Sequence, residues 1–342
     1  MNADARSTHV YGFILLPNFA LMSFASATEP LRAANLIAGR PLYETVTLSA
    51  DGKPVMSSSG VPVPCRRIDA AARLHTVFVC AGGGPSDWQA PAVSAALRKL
   101  ASAGVRIGGI SGGSYLLAAA GLLDGRDFTI HWEHAPALVE AFPQLALRQA
   151  RFVIDGSRIT CGGGVAPLDM MHALIAERMG ADFARRVSDW YLHTAIGEPA
   201  DPQRGSTAER FGVHHPALLM ILEKMQATIE QPMARAEMAR FAGISPRHLD
   251  RLFAERLGTS FLGIYHRIRL DHARRLLQQS PLSIVEIAFA TGFSSASHFS
   301  RVFRAEFGHA PRETRLAAAR SVGDTLTPTP VPGREGSPPA WS

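Results

Sequence analysis

Hydrophobic positions in the first 180 residues fall into two alternating textures. Residues 10–17 (VYGFILLP), 43–50 (YETVTLSA), 75–84 (HTVFVCAGGG) and 104–111 (GVRIGGIS) are short apolar runs rich in Val, Ile and Phe. A run with no polar alternation has both faces covered, the condition of a parallel strand between two helical layers. Between the runs, residues 19–38, 91–103 and 111–120 space their apolar residues as helices do. Strand and helix in alternation predict a doubly wound α/β sheet. Beyond residue 123 the pattern predicts a helix over 133–142 and two short strands about the turn Asp155-Gly156. Next come a helix in GVAPLDMMHALIAERMG, capped by Gly180, and another through FARRVSDWYLHTAI. GEPADPQRGS (197–206), with its Pro, Gly and charge, reads as a linker.

Residues 211–320 differ, being helical throughout and containing an internal near-repeat. MARFAGISPRHLDRLF (238–253) and IAFATGFSSASHFSRVF (287–303) share a short helix centred on Ala, a Gly, a Ser cap and a second helix with Arg two places before Phe. The second copy has one extra residue after its turn. Two short helices joined by a Gly turn form a helix-turn-helix, whose second helix can enter a major groove about 12 Å wide. Gly243 and Gly292 occupy the places that want positive φ, and Ser245 and Ser294 or Ser295 the cap positions. With Leu249, Leu252 and Phe253 facing the core, Arg247, Asp250 and Arg251 are left outward. In the second copy Phe299, Val302 and Phe303 pack, leaving Ala296, Ser297, Ser300 and Arg301 outward. These seven are the base-readout candidates, since Arg can pair with guanine, Ser adapts and Ala can touch a thymine methyl. Arg267, Arg269, Arg274 and Arg275, on the helix between the copies, are expected to hold phosphates or salt bridges.

Charge sharpens this division. The chain has 342 residues and a net charge of +6. Residues 1–210 carry 19 Lys and Arg against 18 Asp and Glu, whereas 211–320 carry 15 against 9, so the second segment holds the whole excess. A cationic surplus confined to one module predicts a polyanion partner, here double-stranded DNA. The expected organisation is an α/β domain over 8–195, a linker over 196–210, a DNA-binding domain over 211–320 and a disordered tail over 321–342. The start of the chain lacks the pattern of a secretion signal and no apolar run is long enough to span a bilayer, which predicts a cytoplasmic protein. The three cysteines, Cys65, Cys80 and Cys161, show neither disulfide nor zinc spacing. No cofactor or metal is expected.

Residues 211–320 resemble the DNA-binding domain of AraC/XylS-family regulators through GISPRHLDRLFAERLGTS, IRLDHARRLL and IVEIAFATGFSSASHFSRVFRAEFGHAPRETR. The resemblance implies two helix-turn-helix units bridged by a helix and seated in successive major grooves. It further implies transcription activation, a homodimer and RNA polymerase as a further partner. Residues 8–195 resemble the class I glutamine amidotransferase-like fold of the ThiJ/PfpI superfamily, in the version fused to an AraC-type module. The segments that carry this are FILLPNFALMSFASATEPLRAANLIAG, VFVCAGGG, GGISGGSYLLAAAGLLDGRDFTIHWEH and ITCGGGVAPLDMMHALI.

Gly109-Ile110-Ser111-Gly112-Gly113 spells G-x-S-x-G, the strand-to-helix elbow of serine hydrolases, and so raises a rival reading: a hydrolase or amidase using Ser111, with an accessory DNA-binding domain. Enzymes of the resembled superfamily place Cys at the elbow, an acid on the first helix and a His after the elbow. Here those places fall to Ser111, Ser23 and His131. A hydroxyl without a strong base is a poor nucleophile, so the expectation is a binding site that has lost catalysis. Its backbone amides at Ser111 and Gly112, with Gly83 in the preceding loop, suit an anion such as a carboxylate. Trp132 in IHWEH offers an aromatic face to a cation, and Glu29 and Glu133 can balance positive charge. Together these residues predict a small effector such as an amino acid, a betaine or a related amine. Packing explains Met22, Met170 and Met171.

Overall fold

The structure, a computed structural model, describes residues 7–70 and 73–324. In the first half the strands are β1 (His9–Leu15), β2 (Tyr43–Ser49), β3 (Val55–Met56), β4 (Pro62–Val63), β5 (Arg66–Arg67), β6 (Thr76–Ala81), β7 (Arg106–Ser111), β8 (Phe152–Asp155) and β9 (Arg158–Cys161). The helices are α1 (Leu21–Ala38), α2 (Pro91–Ser102), α3 (Gly113–Ala119), α4 (Ala135–Ala141), α5 (Ala166–Met179) and α6 (Ala181–Trp190). Seven strands form one sheet in the order β5-β2-β1-β6-β7-β9-β8, parallel except for the β8–β9 hairpin. The expected doubly wound sheet is therefore present. β3 and β4 make a separate two-stranded piece that hydrophobic patterning does not announce.

Side chains alternate between two cores because successive residues of a strand point to opposite faces. Phe13, Leu15, Phe78, Cys80 and Ile110 pack with α1, α5 and α6 on one face. Ile14, Val77, Val79 and Ile107 pack with α2, α3 and α4 on the other. Full burial of both faces accounts for the continuous apolar runs.

The second half is helical: α7 (Thr207–Phe211), α8 (Pro216–Ala227), α9 (Arg235–Phe241), α10 (Pro246–Leu257), α11 (Phe261–Gln279), α12 (Ile284–Ala290), α13 (Ala296–Phe307) and α14 (Pro311–Asp324). It has two cores. Leu249, Phe253 and Phe261 anchor one around α9 and α10, while Phe293, Phe299 and Phe303 anchor the other around α12 and α13. The segment from 193 to 205 is irregular but fastened. Buried Asp169 accepts hydrogen bonds from Gly197 N (2.8 Å), from His193 Nε2 (2.7 Å) and from Arg151. Within the expected linker, Ser206 and Glu209 form a reciprocal cap, Glu209 N donating to Ser206 Oγ and Ser206 N to Glu209 Oε2, which starts α7. Of the expected disordered tail, residues 321–324 continue α14, and residues 325–342 lie outside the described residues. No helix among the described residues is long and apolar enough to cross a membrane.

Candidate functional site

The near-repeat folds into two matching units. Gly243 (φ +67°) and Gly292 (φ +74°) make the turns. A side chain at Gly292 would also have no room, its Cβ falling 2.6 Å from Ile229 O. Ser245 and Ser295 cap α10 and α13, each accepting from the amide three residues on at 3.2 Å. Leu249 and Phe299 are wholly buried, as are Phe253 and Phe303. That leaves Arg247, Arg251, Ser297 and Arg301 exposed, with Asp250, Ala296 and Ser300 half-buried on the same helices. Asp250 is held in an ion pair by Arg235 of α9. The bridging arginines divide as follows: Arg267 pairs with Glu306 (3.0 Å) and Arg274 with Asp271 (3.3 Å). Arg269 is buried, donates to Thr291 O and lies 4.1 Å from the Phe293 ring, locking α11 to the second turn. His248 and His298, matched residues in the first turns of α10 and α13, were open to detection from the repeat alone and belong to the same surface.

At the carboxyl ends of β6 and β7 lies the elbow. Ser111 sits at φ +57°, a conformation a non-glycine residue adopts only under constraint. The glycines around it are dictated by space: a Cβ at Gly109 would fall 2.6 Å from Ser114 N, one at Gly112 2.2 Å from the Trp88 ring, and one at Gly113 2.0 Å from Val79 O. Close packing therefore suffices to explain G-x-S-x-G. Above the elbow opens a cavity of about 710 Å³, lined by Ser23, Gly83, Ser111, His131 and Glu133, among others. Ser23 Oγ accepts from Gly164 N at 2.8 Å.

Three expected members sit elsewhere. Glu29 is not among the lining residues, its carboxylate being paired with Arg32 at 2.7 Å. The Trp132 ring faces away, with the Arg204 guanidinium 4.2 Å from its centroid, and lines a second cavity. Gly112 spends its amide on Ala81 O (3.0 Å), so it is not an anion donor. Two lining residues that patterning missed come from the helical half, Gln278 and Gln279 at the end of α11. Carboxylates of Asp87 and Glu133 line the cavity, and no Lys or Arg is among its described lining residues. Arg275 of α11 acts electrostatically on Glu133 from outside the lining, and the two carboxylates within it suit a cationic group.

The chemistry of Ser111 is equally constrained. No hydrogen bond joins its Oγ to the His131 ring among the described residues. His131 Nδ1 instead accepts from Glu133 N at 3.3 Å, where a catalytic imidazole would be oriented by an acid. Burial lowers the His131 pKa, partly offset by Glu133, so the ring is neutral near pH 7. Cys80 and Cys161 are buried with their thiol pKa values raised by desolvation, the latter to about 12. Neither supplies a thiolate. Among the described residues no group of three or more His, Cys, Asp or Glu could hold a metal ion.

Comparison with known proteins agrees with both halves. Residues 13–177 match the DJ-1/PfpI family and residues 238–317 a helix-turn-helix domain. The chain is 65% identical over 316 residues to the HTH-type transcriptional regulator GlxA of Rhizobium meliloti, covering 92% of this chain and 98% of that protein. It is 39% identical over 328 residues to the HTH-type transcriptional regulator GbdR of Pseudomonas aeruginosa, covering 96% of this chain and 89% of that one. A crystal structure of an AraC family transcriptional regulator from Pseudomonas putida matches with a TM-score of 0.50 and 29% identity, over 54% of this chain and 99% of that chain. Full-length likeness to regulators and two well-formed helix-turn-helix units lead to one conclusion: the chain belongs to the AraC family of HTH-type transcriptional regulators and carries a DJ-1/PfpI domain ahead of its DNA-binding module.

Proposed function

We propose that the protein is a cytoplasmic transcription activator whose α/β domain (8–195) binds an amine-bearing metabolite without transforming it. The helical domain (211–320) then reads a promoter operator, with homodimerisation and RNA polymerase contact completing the response. The observation that carries the DNA reading is the repeated placement of an exposed arginine, Arg251 on α10 and Arg301 on α13, on helices with matching caps and cores. The 19 residues of α11 between the units span about 28 Å at about 1.5 Å per residue, close to the roughly 34 Å of one DNA turn. Arg247, Ser297, Ser300 and Ala296 complete the reading face. Asp250, tied to Arg235, serves the unit's own rigidity as much as any base.

For the effector, Glu133 and Asp87 attract an ammonium group while Ser23, Ser111 and His131 supply neutral polar contacts, a set that fits an amino acid or betaine. Selection of bound duplexes from a random pool at fixed salt tests the DNA reading. The expected outcome is a motif with two half-sites about 10 base pairs apart, and enrichment of no motif would refute it. Ser111→Ala separates sensor from hydrolase. Ester or amide turnover present in wild type and abolished by this change would overturn the sensing reading.

A further inference from the structure

We propose that the effector site is composite: one wall belongs to the DNA-binding half, and residues 131–134 report its occupancy to that half. The inference rests on reading the cavity above Ser111 as the effector site. Four consecutive residues face two ways. His131 and Glu133 line that cavity, while Trp132 lines a second one of about 830 Å³ between the two halves. His134 lines the first cavity and its Nδ1 bonds Gln279 Oε1 of α11 at 2.9 Å.

The backbone of the strip is gripped as firmly. Trp132 N donates to Gln203 Oε1 at 2.8 Å, and Gln203 Nε2 donates to Thr129 Oγ1, Ile130 O and Ala150 O at 3.0, 2.9 and 2.7 Å. Gln203 therefore plugs the joining segment into the sheet domain. Arg204 and Arg275, the latter on α11, lie 4.2 and 5.9 Å from the Trp132 ring. Gln279 is buried, lines the effector cavity and has no hydrogen bond to its Nε2 among the described residues. That amide is placed to receive a ligand carboxylate while Glu133 faces its ammonium.

A zwitterion touching both walls favours the docked arrangement of the two halves, and by linkage any DNA geometry that needs a different arrangement opposes its binding. The effector class is thus narrowed to zwitterions whose cationic group meets Glu133 while the carboxylate meets Gln279.

The test uses the full-length protein and glycine betaine as probe, titrated calorimetrically into wild type, Glu133→Gln, Gln279→Ala and the length-matched Gln279→Met. Each variant is expected to weaken binding at least tenfold. Binding lost in Glu133→Gln but unchanged in both Gln279 variants overturns the composite wall and leaves the cavity reading intact. Absence of betaine binding in wild type, or binding indifferent to Glu133→Gln, rejects the cavity reading for this ligand class. A ligand-free arm then tests the reporting strip by itself: amide exchange at residues 131–134 should quicken at least tenfold in Gln203→Ala and Gln279→Met while β7 stays protected. Unaltered exchange in both variants overturns it.

Discussion

His134 joins the halves through an imidazole that is neutral in the folded protein, and acid should therefore loosen the molecule there. It is 6% exposed, packs edge-on to Trp88 at 5.0 Å and has its pKa pushed down to about 4 by desolvation, with the bond to Gln279 opposing and the nearby His131 assisting. An unfolded chain titrates the same ring near an ordinary value of about 6.5. Above that value neither state binds the proton and the group is silent. As pH falls below it, only the unfolded state gains a proton, so stability drops by about 1.4 kcal/mol per pH unit until the folded pKa is reached. At pH 5 the accumulated loss is about 2 kcal/mol. His134→Gln keeps a polar partner for Gln279 but cannot titrate. Urea unfolding followed by tryptophan fluorescence at pH 7, 6 and 5 would measure the stability gap between wild type and variant. Relative to the variant, wild type should lose about 2 kcal/mol from pH 7 to pH 5. A gap that stays constant across this range would refute the assignment of a neutral buried imidazole.

Other outcomes follow from features already described. Arg251→Ala and Arg301→Ala should each cost about 1–3 kcal/mol of operator affinity, concentrated at one base pair. A uniform loss across all sequences in a competition binding assay would reassign the side chain to phosphate. Ser295→Ala removes the α13 cap and should cost about 1 kcal/mol of stability in thermal unfolding, with operator affinity falling more than for the same change at an uncapped surface serine. Iodoacetamide should modify native protein at Cys65 before Cys80 and Cys161, because burial raises all three thiol pKa values but raises the latter two further and hides both sulfurs; mass mapping that finds Cys80 alkylated first would contradict the packing. Gly113→Ala should destabilise the sheet domain severely, since its Cβ would lie 2.0 Å from Val79 O, and a variant with wild-type melting behaviour would refute that clash.

Much of this was legible in the sequence because the physics involved is local and periodic. Two-sided burial writes itself as unbroken apolar runs, and the duplicated Ala, Gly, Ser and Phe positions reveal both DNA-reading units before any coordinates. The site was less legible where it depends on partners distant in the chain. Trp132 and Glu29 are sensible ligands for a cation until Arg204 and Arg32 are seen beside them. Gly112 looks like a free donor until Ala81 O is found to hold its amide. Gln203, Gln278 and Gln279 carry no periodic or charge signal, and only their three-dimensional neighbours give them a role. The helix expected to start at 133 begins at Ala135, because Pro136 has no N–H to donate and fits only in the first turn. The capping box Ser206…Glu209 was an available sign of α7, outweighed by the Pro- and Gly-rich stretch before it.

The two helix-turn-helix units are unequal copies joined by α11, the second with one extra residue after its turn, so a single chain has no twofold axis to impose on what it grips. Its preferred duplex must then have a direction: reversing the site would present each half to the wrong reader. Each chain of this kind marks on the DNA not only a place but an orientation.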